Sequence, residues 1–238
     1  MRTTSRILLV VASVSVLFVE SASAKDTPAN FWASDGTYLT VFGGAAFLND
    51  VTHDYVHPAT PANNGSTKHG VKSGYLLGLS LGTTLRPNVR GEIELSHSTN
   101  SIESQTYSNP AFSASSGSAS GKIKTTNLLA NMWYDFNPKG QFRPYVGGGI
   151  GISLVDAKSL LNGQTVHELN GSDLAFAYQA GAGFRFSASD NIEVDFGYRF
   201  RGLTGAKIGT EIFGQTNGRF DTNSHFVQFG ISVKLKRM

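Results

Sequence analysis

Residues 89–97, VRGEIELSH, place Val89, Gly91, Ile93 and Leu95 on one side of an extended chain and Arg90, Glu92, Glu94 and Ser96 on the other. The same period of two recurs in TYLTVFGGAAFL (37–48), GYLLGLSLGTTL (74–85), TTNLLANMWYDF (125–136), FRPYVGGGIGISLV (142–155), LAFAYQAGAGFRF (174–186), NIEVDFGYRFR (191–201) and SHFVQFGISVKL (224–235). No amphipathic helical period of comparable quality accompanies them. Each alternating segment is close to the ten or so residues that a tilted strand needs to cross a bilayer, well beyond the roughly five or six of an ordinary strand.

The connections alternate in length. RPN (86–88), NPKGQ (137–141) and SASD (187–190) are short and rich in turn formers, whereas 49–73, 98–122, 156–173 and 202–223 are long. Short turns at one end and long loops at the other predict an all-β, eight-stranded, antiparallel up-and-down transmembrane β-barrel, with both termini at the periplasmic, short-turn end.

Which face meets lipid follows from glycine. Leu77, Leu79, Met132, Val146, Ile150, Ile152, Phe196, Val227, Phe229 and Ile231 share faces opposite charged residues and opposite Gly78, Gly82, Gly147, Gly149, Gly181, Gly183, Gly197 and Gly230. Glycine weakens a strand unless something approaches it closely. Inside a narrow barrel it makes room for long side chains from other strands, so the polar face is predicted to be the lumen. Aromatic residues agree, with Phe47, Phe176, Tyr178, Tyr198 and Phe200 near the long-loop ends and Tyr134, Phe136, Phe142, Phe184 and Phe186 near the short-turn ends. Two belts of this kind mark two membrane interfaces.

The N-terminus reads differently. Arg2 and Arg6 precede an apolar run from Ile7 to Val19, followed by Ala22-Ser23-Ala24. As helix that run covers about 20 Å, short of the roughly 30 Å hydrocarbon core, so it predicts a cleaved signal peptide (1–24) rather than an anchor. A short periplasmic segment (25–36) and the barrel domain (37–238) follow. The exported chain has no cysteine, so a core or a bilayer must hold it together. Removing Arg2, Arg6 and Glu20 from its 20 basic and 17 acidic residues leaves them nearly balanced, at 18 and 16, which argues against a nucleic-acid partner.

Inward parity collects Arg90, Arg143, Arg185, Arg199, Arg201 and Lys234 with Glu92, Glu94, Asp135, Glu193 and Asp195. Buried charges persist when paired. Centring the 137–141 turn on Lys139 sets Asp135 opposite Arg143 and predicts a cluster of Arg90, Asp135 and Arg143, with a second of Arg185 and either Glu193 or Asp195. An interior balanced in this way is expected to be a polar plug, the alternative being a small-solute or ion pore.

The stretches NMWYDF (131–136), RPYVGGGIGIS (143–153), YQAGAGFRF (178–186) and VDFGYRF (194–200) resemble the small outer-membrane barrels of the opacity-type surface antigen group, related in architecture to the transmembrane barrel of OmpA. The resemblance runs from about Thr37 to the end. It implies an eight-stranded barrel in the outer membrane of a Gram-negative cell, surrounded by its lipid and lipopolysaccharide and inserted by the barrel assembly machinery. It implies little about activity, because members differ most in their loops. Family barrels commonly end on an aromatic residue, whereas Arg237 and Met238 stand here, and a peptidoglycan-binding domain is not expected.

Candidate chemistry is thin. His97-Ser98-Thr99-Asn100 loosely resembles the pattern of lipid A deacylases, with Glu103 nearby, but the hydroxyl at the right spacing is Thr99 rather than a serine. His53, His57 and His69 with Asp50 and Asp54 could ligate a metal or haem iron, yet nothing in the sequence fixes their geometry. No catalytic, cofactor-binding or metal residue is therefore assigned, and no enzyme is expected. The Ser-rich stretch 101–122 reads as a mobile loop. The expected role is envelope integrity or surface contact with host or phage through 49–73, 98–122, 156–173 and 202–223, with a lipid A-modifying enzyme and a soluble, lipocalin-like ligand carrier as lesser readings.

Overall fold

The computed structural model describes residues 36–55, 65–109, 112–161, 167–208 and 218–235. Residues 1–35 and 236–238, which include the signal peptide, most of the 25–36 segment, Arg237 and Met238, lie outside the described residues, as does His57; so do the side chains of His53 and Asp54. The strands are β1 (Tyr38–Leu48), β2 (Val51–Tyr55), β3 (Gly65–Val71), β4 (Gly74–Arg86), β5 (Val89–Asn109), β6 (Phe112–Asp135), β7 (Phe142–Leu161), β8 (His167–Ser187), β9 (Ile192–Ile208) and β10 (Gly218–Lys234).

Every ladder is antiparallel. The order β4-β1-β10-β9-β8-β7-β6 closes through β5, which pairs with both β4 and β6, so eight strands form a ring. A barrel leaves no open edge within the bilayer, where an unpaired backbone group has no water to bond. The β2–β3 hairpin adds to the loop end of β5 through β3. It lies within the stretch 49–73 that the sequence reads as loop.

In the lower two thirds the alternation faces as expected. Val41, Leu77, Leu79, Leu95, Met132, Ile150, Phe196 and Ile231 are exposed on the outside. Arg90, Glu94, Asp135, Arg185, Glu193, Asp195, Arg199 and Arg201 are buried inside. The soluble-carrier alternative needs the opposite sidedness and is not what the chain adopts. On β7 the outward apolar row runs from Phe142 to Leu154. At about 3.3 Å per residue and a tilt near 40°, those twelve steps rise roughly 30 Å, the thickness of a hydrocarbon core. Both aromatic sets stand on this outer surface at its two margins, with ring pairs Tyr134–Phe136, Phe142–Phe184 and Phe184–Phe196 at the short-turn end and Phe176–Tyr178, Tyr178–Phe200 and Phe200–His225 at the other.

Above Leu154 the strands do not stop. β5 and β6 stay paired from Val89↔Tyr134 to Asn109↔Phe112, so the described residues of 98–122 are paired strand rather than a mobile loop. Most of 156–173 and the described parts of 202–223 are likewise strand. The reason is a reversal of sidedness. Leu48, Val51, Ile102, Ile123, Val155, Ala157, Ala177, Leu203, Ala206 and Ile208 now point inward and form one buried apolar cluster. Lys122, Lys124 and Lys158 point outward. Outside the bilayer the solvent is water, so the same ladder is stabilised by the opposite partition. On β9 the change of geometry is set by a bulge in which Thr204 and Gly205, the latter at φ 90°, oppose Asp221 alone. The Asp221 carboxylate accepts from the Thr204 hydroxyl and the Gly205 amide, both at 3.0 Å.

Candidate functional site in the barrel lumen

The inward side chains form three tiers. At the short-turn mouth Glu193 on β9 pairs with Arg185 of β8, Arg143 of β7 and, at 3.2 Å, Lys234 of β10. Arg143 also donates to Ser187. The four charged groups, with Tyr38, Arg90 and Asp135, line a cavity of about 240 Å³.

In the middle tier Arg90 grips Asp135 through two parallel bonds of 2.7 and 3.0 Å and donates to Glu92 and to the Tyr38 hydroxyl, each at 2.8 Å. Glu92 also accepts from Tyr38 at 2.6 Å and from the Trp133 indole at 2.9 Å. Across the lumen Arg199 donates to the Tyr145 hydroxyl, which donates to Asp195 at 3.1 Å, and the Arg199 guanidinium lies 4.1 Å from the Trp133 ring centroid.

The third tier centres on Glu94 of β5. It accepts from Arg201 at 2.7 Å, Ser96 at 2.9 Å, and Asn131 and Gln179 at 3.0 Å each. Four strands thus meet on one carboxylate, and Arg201 also donates to the Gln179 carbonyl. Between this tier and the middle one, among Glu94, Arg90, Glu92, Tyr145, Asp195 and Arg199, the free space is about 20 Å³, room for one water. Above it Phe42, Ala46, Leu76 and Phe226 form a buried apolar layer, with the Arg201 guanidinium 4.9 Å from the Phe226 ring centroid.

The expected pairs are met in part. Arg90 joins Asp135, and Arg185 joins Glu193, but Arg143 leaves Asp135 for Glu193. The β6–β7 register explains the correction: Asp135 faces Tyr145, so the turn centres on Gly140, and Arg143 faces Arg185. The glycines give way to these chains as expected. A Cβ on Gly197 would stand 2.6 Å from the Tyr145 hydroxyl and 2.7 Å from an Arg199 nitrogen. Sequence reasoning did not find Tyr38, Trp133 and Tyr145 as partners of the charges. Their signal was parity alone, since each is an aromatic residue on a polar face.

His97 lies on the outer surface near the upper margin. Its Nδ1 is 3.0 Å from the Thr126 hydroxyl and its Nε2 is 3.2 Å from that of Thr99. Both ring nitrogens are thus occupied by hydroxyls, and Glu103 pairs with Lys72 at 2.9 Å instead of orienting the imidazole. His69 is buried under β3, whereas Asp50 is exposed and pairs with Lys68 at 3.0 Å. Among the described residues no three His, Asp or Glu side chains converge as metal ligands.

A closed ring of eight antiparallel strands, a lipid-height apolar band outside and paired charges inside together define a small outer-membrane β-barrel. Comparison with known proteins agrees: residues 9–234 match the outer membrane protein beta-barrel domain, and the chain belongs to that family. It is 25% identical over 196 residues to a Rickettsia canadensis protein named "Putative adhesin", covering 81% of each chain. It is 30% identical over 82 residues to the outer membrane protein PagN of Salmonella typhimurium, a match that spans 34% of PagN and 33% of this chain. The outer membrane protein OprG of Pseudomonas aeruginosa has the same fold, with a TM-score of 0.52, 16% identity, and coverage of 84% of this chain and 97% of that one.

Proposed function

We propose that this barrel is a non-conducting, non-catalytic surface protein that stands with its termini in the periplasm and carries a rigid strand-built wall out of the bilayer for contact with another cell surface. The observation that carries the reading is the continuation of β5–β8 beyond the apolar band around a packed apolar interior. A wall of that kind holds its outer residues in fixed positions, as a contact surface requires, whereas an open pore requires a wet lumen. The polar tiers and the Phe42–Phe226 layer support a plug. The name carried by the Rickettsia relative supports adhesion as the kind of contact.

The test replaces residues 103–120 with a two-residue Asn-Gly turn, which shortens the β5–β6 hairpin and leaves Ile102 and Gly121, its register partner, opposite each other. In a non-adherent laboratory strain, the intact barrel is expected to confer attachment to cultured epithelial cells and the shortened one to lose it while still shifting on heating in a detergent gel. Attachment that survives the deletion refutes the contact role. Steady single-channel currents from the purified intact barrel in a planar bilayer refute the plug.

A further inference from the structure

We propose that the outer wall of β6 and β7 holds a phosphoryl group of the glycolipid headgroup in the leaflet that the long hairpins face. The inference rests on the loop-outward orientation above and gives it a lipid contact. Lys122 and Lys158 are direct cross-strand partners on that wall. Like charges so placed repel and weaken a ladder unless something neutralises them. Neither ammonium has a carboxylate or other polar partner among the described residues, and the same holds for Lys124, which faces Asp156 one step lower. The neighbouring positions across the ladders are neutral: Ser101 beside Lys122 and Asn170 beside Lys158. Among the described residues Asp156 is thus the sole carboxylate set against these three cations, because Glu103 is held by Lys72.

Height selects the occupant. The last outward row of well-exposed apolar residues on this wall is that of Leu154 and Leu174, level with Thr126. Lys124 lies two residues farther along its strand from Thr126, and Lys158 lies four from Leu154. With about 3.3 Å per residue and a tilt near 40°, these are roughly 5 and 10 Å above the hydrocarbon, which is the headgroup layer. Phosphate at that height meets two or three flexible ammonium groups, and the four-carbon stems allow each to reach down along the wall. Soluble anions have no reason to gather there, whereas a headgroup anchored by its acyl chains is held against the same strands.

The purified full-length barrel in detergent is titrated with bis-phosphorylated lipid A and, separately, with the same lipid stripped of its phosphates, and retained lipid is counted by native mass spectrometry. The phosphorylated form is expected to bind the native barrel more tightly. Lys122→Gln with Lys158→Gln is expected to weaken it about 30-fold, at about 5-fold per lysine, with heat-modifiability retained. Lys68→Gln, on the β2–β3 hairpin, is expected to leave it unchanged. Equal binding of the two lipids, or a double variant that binds like the native barrel, overturns the inference. Orientation is read separately, by labelling Ser118→Cys on intact cells with a membrane-impermeant maleimide: no labelling sinks the orientation, whereas labelling with an unchanged titration sinks only the lipid site.

Discussion

Glu94 and Arg201 are the pair whose removal should be most informative, because the two residues link β5 and β9 across the centre of the barrel and are almost fully enclosed, at 4% and 1% exposure. Glu94→Ala leaves the buried Arg201 guanidinium without its counter-charge and strips one acceptor each from Ser96, Asn131 and Gln179. Breaking one side of a buried ion pair costs about 3–5 kcal/mol. Arg201→Met leaves the carboxylate with three neutral donors, a milder loss of about 2–3 kcal/mol. The double variant removes both charges, and the Asn131 and Gln179 amides keep their mutual 2.7 Å bond, so its cost should be close to that of Arg201→Met alone. The coupling energy is then about 3–5 kcal/mol, the cost of Glu94→Ala itself. Urea unfolding of the barrel refolded into lipid vesicles, followed by tryptophan fluorescence, measures all four corners of the cycle. Costs that add to within about 0.5 kcal/mol would show that the lumen is wet enough to solvate each charge by itself, and the plug would fall with them.

Three further outcomes follow from other parts of the barrel. Val155→Asp buries an unpaired carboxylate in the apolar outer cluster and should cost several kcal/mol in the same assay, whereas Ser120→Asp on the outside, opposite the uncharged Leu160, should stay within about 0.5 kcal/mol; the reverse order would refute the change of sidedness above Leu154. Gly197→Val drives a side chain against Tyr145 and Arg199, which hold each other at 2.8 Å, and should cost about 1–3 kcal/mol; full stability would mean that the middle tier is loose. The outer wall should loosen in acid. The Lys68 ammonium hydrogen-bonded to Asp50, and the Lys207 amide that donates to Asp173 at 2.7 Å, hold both carboxyls below the usual value of 3.8. A lowered native pKa adds stability that is complete above the unfolded value and is lost as pH falls through the native one, so protection of the β2–β3 hairpin and of the loop end of β9 should drop below pH 3.8. Amide exchange normalised to the intrinsic rate at each pH would detect this, and flat protection down to about pH 2 would contradict it.

The barrel was legible in the sequence where one rule applies along a whole segment. The alternation in 142–154 or 224–233 fixes facing without any knowledge of neighbours, and the glycines of one face report the long side chains of another. Two things were not legible. Register across a turn depends on which residue sits at its centre, and the one-residue difference between Lys139 and Gly140 moved Arg143 from Asp135 to Glu193. The outer strands were hidden for a different reason. Ser-rich 101–122 has too little hydrophobicity to announce a strand, and its inward residues Ile102 and Ala119, with Ile123 just beyond it, are stabilised by Val155, Ala157 and Leu203 from strands far along the chain. Tertiary contact, not local propensity, makes that segment extended.

The reversal also explains why the two interiors are stacked as they are. Within the apolar band every outward position is committed to lipid, so the lumen receives the chain's charges and must satisfy them internally, which Glu193, Glu92 and Glu94 do in succession. Beyond the band the outward positions are committed to water, so the lumen receives the apolar cluster instead, with the neutral Gln105 and Ser159 buried beside it. The tiers cannot be mixed, because a charge in the upper part would lack partners and an isoleucine outside it would face water. Phe42 and Phe226 sit where the two regimes meet, with Arg201 against one side of the Phe226 ring and Ala46 and Leu76 completing the layer. An aromatic ring suits that position, since its face attracts a guanidinium and its body packs with aliphatic side chains. The height of this layer inside the barrel therefore tracks the height of the bilayer outside it, and each strand records the level in its own sequence as the residue where the apolar parity changes sides: on β7, between Leu154 facing out and Val155 facing in.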